Sequence, residues 1–107
     1  MAPLADPKII GPLHNAAENG SVEILKILIK YLDANVYMDY YYYEECQFLP
    51  IDFAILSNNA EAVEILAPYT KKLRVHELFK NRYRFCEKSM KKLKSLIEAR
   101  NKMLQDQ

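Results

Sequence analysis

The fold class this sequence predicts is all-α: a solenoid of stacked helix-turn-helix pairs with a long loop between repeats and a helical C-terminal cap. Three observations carry it. A helix-turn-helix pattern occupies residues 11–29. The pattern recurs in weaker form over residues 49–66 at an offset of 38 positions, setting Pro12 on Pro50, Ala16 on Ala54, Glu23 on Glu61, Ile27 on Ile65, Leu28 on Leu66 and Tyr31 on Tyr69. Residues 70–107 then hold neither Gly nor Pro, with apolar residues at alternating steps of four and three. Self-similar units of this length bury their apolar faces by stacking on one another.

Taken in order, residues 1–10, with prolines at 3 and 7, read as a flexible lead-in to one small domain spanning residues 1–107. Residues 11–36 form the first repeat. Pro12, like Pro50, suits a first helical position, where its missing N–H is not needed. Gly20 stands where the first helix must reverse, since the left-handed conformation costs Gly little and Asn, at position 58, tolerates it. Ser21 and Asn59 offer side-chain acceptors to the next helix start. Ile24, Leu25, Leu28 and Ile29 make an apolar stripe at helical spacing and are expected in the core.

Pro12-Leu13-His14, the small Ala16, the Asn19-Gly20 turn and the stripe after it resemble an ankyrin repeat, and residues 49–70 resemble a degenerate second one. The resemblance covers residues 11–66. Departures are specific. Ankyrin repeats commonly open with Thr, whose hydroxyl meets the motif His, whereas this chain has Gly11 and Leu49, so His14 loses that partner. Asp52 replaces the second His; it favours a helix N-terminus through the dipole. Leu32, Asp33 and Ala34 stand where a Gly-Ala-Asp turn is common.

Residues 37–48 form a Tyr- and acid-rich loop, placed by the resemblance where a repeat projects its turn. A repeat is usually about 33 residues long, so the offset of 38 lengthens the loop. Asp39, Tyr40, Tyr41, Tyr42, Tyr43, Glu44 and Glu45 combine large, low-entropy contact area with carboxylates that attract a basic partner. The alternative is that the tyrosines fold back over the helices. The resemblance also implies a concave groove contacting partners through Asn15, Glu18, Asn19, Phe53 and Leu56; packing against the C-terminal segment is the alternative for Phe53 and Leu56.

Residues 71–107 form a basic cap. Phe79, Tyr83, Cys86, Met90, Leu93, Ile97 and Leu104 fit either one helix of about 35 residues, about 52 Å long, or a hairpin that breaks near residues 84–88. The hairpin is favoured because Leu93-Lys94-Ser95-Leu96-Ile97 echoes Leu25-Lys26-Ile27-Leu28-Ile29 and because a terminal repeat needs a polar outer face.

The net charge of +1 conceals an asymmetry. Residues 1–66 carry three lysines against ten acids, and residues 67–107 carry twelve cations against four acids. Cys46 and Cys86 form no CxxC pair and no His cluster, which argues against zinc and against a disulfide-stapled secreted domain. The N-terminus lacks a secretory signal and no apolar run reaches the length of a membrane span. A cytoplasmic, or nuclear, location is expected. His14 and His76 are the only histidines, and neither joins a nucleophile or a phosphate loop, so no catalytic residue, metal or cofactor is expected. The leading function is a non-catalytic protein–protein interaction module, an adaptor or stoichiometric inhibitor. The alternatives are an anionic partner (nucleic acid, acidic lipid or calmodulin) on the basic C-terminal helices, and homodimerisation through them.

Overall fold

Residues 11–40, 43–81 and 85–105 are described by the structure, a computed structural model; the expected lead-in lies outside them. Helix α1 (Pro12–Asn19) starts at Pro12 after an extended Gly11. It ends at Gly20, whose φ of 70° is left-handed. The Ser21 N–H donates to the Ala16 carbonyl at 3.1 Å, closing the helix end. A Cβ at Gly20 would stand 2.8 Å from Asn59 Nδ2, so Asn59 would have to shift, and the left-handed backbone strains most other residues there.

The same device recurs 38 positions on. Helix α3 (Pro50–Leu56) is followed by Asn58 at φ 55°, and the Asn59 N–H donates to the Ala54 carbonyl at 3.0 Å. Outer helices follow each turn: α2 (Val22–Leu28) and α4 (Ala60–Leu66). Asn59 Oδ1 accepts from the Ala62 N–H at 3.0 Å, whereas Ser21 makes no side-chain cap bond. Only one of the two expected caps forms.

Inner helix α1 packs on α3 and outer helix α2 on α4, giving two layers. Leu13, Leu25, Phe53, Ile55, Val63 and Leu66 fill the space between them, each at most 2% exposed. The expected α2 stripe is only partly interior: Leu25 and Ile29 are buried, but Ile24 is 53% exposed. Its equivalent Ala62 is buried because α4 has an outer helix before it; among the described residues α2 has none. No helix among the described residues is long and apolar enough to cross a membrane.

Between the pairs the chain forms an antiparallel hairpin of β1 (Met38–Tyr40) and β2 (Tyr43–Phe48), pairing Met38 with Phe48, Asp39 with Gln47 and Tyr40 with Tyr43. After α4, a 3-10 turn (Ala67–Tyr69) leads to Leu73 and a second 3-10 turn, Glu77–Asn81. Helix α5 (Glu87–Gln105) ends the fold and packs on α4. The cap is therefore not one long helix: a short 3-10 segment precedes α5, which starts at Glu87, within the break expected near residues 84–88. Lys80, Arg84 and Lys88 would line one face of a continuous helix at intervals of four, where like charges repel.

Polar bonds seat α5. The Ser89 hydroxyl donates to the Ile55 carbonyl at 3.0 Å, its N–H donates to Asn58 Oδ1 at 2.9 Å, and Lys92 pairs with Glu64 at 3.2 Å. Phe79, Cys86, Met90 and Leu93 of the heptad-like stripe are buried; Tyr83 lies outside the described residues. Lys91, Lys94 and Glu98 are exposed, which gives this terminal unit a polar surface.

Candidate interaction surface

The hairpin stands on a base clamped from both sides. His14 Nε2 donates to the Val36 carbonyl at 2.6 Å, on the leg entering β1. His76 bonds the backbone of Gln47, on the leg leaving β2, and its Nδ1 accepts the Leu78 N–H at 3.0 Å. Phe48, at the foot of β2, meets the His76 ring edge-on at 4.6 Å, Phe53 at 5.5 Å and Phe79 at 5.8 Å. This aromatic cluster joins the hairpin to α3 and to the second 3-10 turn.

Electrostatics follow from burial. His14 is 4% exposed, and desolvation lowers its pKa despite the bond to Val36. Because Nε2 carries the donated hydrogen, Nδ1 is a bare acceptor, and it has no hydrogen-bond partner among the described residues. A Cβ at Gly11 would lie 3.0 Å from it, so Gly11 leaves open the place a Thr side chain would fill. Burial also lowers the His76 pKa, helped by nearby Arg74. Asp52, the residue replacing the second motif His, accepts the Leu49 N–H at 2.9 Å and caps α3. Its burial outweighs that bond and Arg74, 3.8 Å away, and raises its pKa to about 6.

The expected contact residues divide. Tyr41 and Tyr42 lie outside the described residues. Asp39, Tyr40, Tyr43, Glu44 and Glu45 belong to the hairpin strands, their side chains outside the description. On α1, Asn15 and Asn19 are exposed and joined by a 2.9 Å bond, and Glu18 beside them is half-buried. Phe53 is not a groove contact: it is fully buried, edge-on to His14 at 5.6 Å and to Phe48. Leu56 is half-buried and packed against the core. Both are apolar residues on a helix with neighbours on each side, and close packing claims them.

A family model described as ankyrin repeats, in three copies, matches residues 4–76. The chain belongs to the ankyrin-repeat family. Comparison with curated proteins and with solved structures finds no match. Ankyrin repeats are generally protein–protein interaction modules and typically non-catalytic. Among the described residues no group of His, Cys, Asp and Glu is arranged to hold a metal ion.

Three positioning residues escaped sequence reasoning. Asn35 Nδ2 donates to the Tyr69 carbonyl at 3.0 Å and its Oδ1 accepts the Lys71 N–H at 2.8 Å, tying the segment after α2 to the segment after α4. Arg100 donates to the carbonyls of Ala67, Thr70 and Lys71. His76 became the second hairpin clamp; its place just before the third helical unit, like that of His14 at the head of the first, was the available signal.

Proposed function

We propose that this ankyrin-repeat chain is a non-catalytic binding module, an adaptor or stoichiometric inhibitor, that presents the Tyr- and acid-rich hairpin to a protein with a basic surface. The observation that carries this reading is the clamped base. His14, His76 and Phe48 hold both feet of the hairpin against the helices, so its base is preorganised and less ordering entropy opposes binding. Exposed Asn15 and Asn19, with Glu18, extend the contact along α1 as polar groups at the rim. The proposal places the protein in the cytoplasm or nucleus.

Affinity capture from lysate at about 50 mM and about 300 mM salt separates recognition from bulk charge attraction. The reading expects a protein retained at both salts and lost when Tyr40, Tyr41, Tyr42 and Tyr43 are all replaced by Ser. Capture indifferent to those replacements would refute it.

A further inference from the structure

We propose that the exposed face of α2 joins two copies of this chain into a twofold-symmetric dimer, with α2 packed antiparallel on its counterpart. This contact is distinct from the self-association expected of the C-terminal helices, and it uses no residue of the hairpin.

The face is apolar and lies at the open end of the stack. Ile24, Ile27 and Tyr31 are 53%, 60% and 79% exposed, and half-buried Leu28 lies between them. Steps of three and four residues put all four on one stripe. The Tyr31 N–H donates to the Leu28 carbonyl at 2.9 Å, so the winding continues past the last residue of α2 and keeps Tyr31 on that stripe. A further repeat does not fit there. At the offset of 38, Ile24 is the counterpart of Ala62, the small residue buried where α2 packs on α4. The bulk of Ile24 holds off a helix that would sit as close.

Charge selects a second copy. Glu23 and Lys30 border, together with Ile27, one groove of about 400 Å³. They are seven residues apart, two helical turns, and so share one flank of the stripe, the acid at its start and the base at its end. Antiparallel packing about a twofold axis brings that flank against itself in reversed order, which sets each Glu23 beside the other copy's Lys30, Ile24 against Tyr31 and Ile27 against Leu28. Parallel packing would oppose Glu23 to Glu23 and Lys30 to Lys30. Among the described residues neither Glu23 nor Lys30 has an ion-pair partner within the chain. Over residues 22–33 two acids balance two lysines, so an anionic membrane or a strongly charged protein gains no net attraction from this face.

Sedimentation equilibrium of the full chain, from about 5 to about 500 μM, tests it. The expected result is a reversible monomer–dimer equilibrium with a Kd on the order of 10–100 μM, as suits a small interface. Ile27→Asp changes one exposed side chain, so it keeps the parent circular dichroism and weakens the dimer at least about tenfold. Glu23→Lys and Lys30→Glu each weaken it at least about threefold, and the two combined recover most of the parent affinity, because the exchanged charges again meet across the axis. A monomer throughout the range, an association unchanged by Ile27→Asp, or a double variant as weak as either single one overturns the proposal. So does binding to phosphatidylserine vesicles that Ile27→Asp abolishes while the chain alone stays monomeric.

Discussion

Replacing Asp52 by Asn is expected to stabilise the protein near neutral pH, although Asp52 caps a helix and faces an arginine. The carboxylate is 2% exposed, and its pKa rises from 3.8 to about 6. At 1.36 kcal/mol per pKa unit, that rise is about 3 kcal/mol of preference for the neutral form. Asn keeps an oxygen for the Leu49 N–H and removes the buried charge. It also adds an amide N–H₂ where a carboxylate oxygen stood, which costs about 1 kcal/mol or more if unpaired. The net gain is therefore about 1–2 kcal/mol at about pH 7.5, or roughly 4–15 °C in Tm for a domain of this size.

The sign with pH is specific. A carboxyl whose folded pKa is raised costs stability above that pKa, and the cost shrinks as pH falls from about 6 toward 3.8. The advantage of the Asn variant should thus vanish at about pH 4.5, while the two histidines, common to both proteins, cancel in the difference. Urea denaturation followed by circular dichroism, on both proteins across this range, measures it. A variant less stable than the parent by the same amount at every pH would refute the reasoning and show that the Arg74 pair and the cap outweigh burial.

Gly11→Thr should place a hydroxyl donor at the bare His14 Nδ1, with the ring giving a few tenths of an ångström, and stabilise the chain by about 1 kcal/mol; the gain should disappear in a His14→Ala background, as a double-mutant cycle in urea would reveal. Gly20→Ala should cost at least about 1 kcal/mol, because φ is 70° and the new Cβ meets Asn59, and an unchanged denaturation midpoint would contradict this. Lowered pKa values at His14 and His76 mean that their contribution is complete above about pH 6.5 and is lost as pH falls below it, since the unfolded chain takes up protons first; loss of amide-exchange protection in residues 36–48 on acidification reports it. Arg100→Ala removes three charge-assisted bonds and should cost about 2 kcal/mol, read from the shift in Tm.

Much of the fold was legible because its signals are local. Pro12, Gly20, Pro50 and Asn58 act through their own backbone, and the offset of 38 aligned two turns that close with the same bonds. The long loop was readable as an extra length, though its strand pairing depends on partners across the hairpin that periodicity does not show. What failed depended on stacking. Phe53 and Ile24 are both apolar residues inside helices, yet Phe53 is enclosed between neighbouring elements and Ile24 is 53% exposed on a helix with no outer helix before it among the described residues. Local spacing does not report where a stack ends. Asn35, Arg100 and His76 act on carbonyls about 30 residues distant, a relation that exists only after the repeats dock.

The central claim is that the hairpin, and not the basic cap, meets the partner. Photo-crosslinking tests it most directly, with a benzoylphenylalanine placed at Tyr41 in one protein and at Ser95, on the exposed side of α5, in another. The account predicts a discrete protein adduct from position 41, retained at about 300 mM salt, and none from position 95. Adducts from position 95 alone, or adducts to nucleic acid alone, would contradict it.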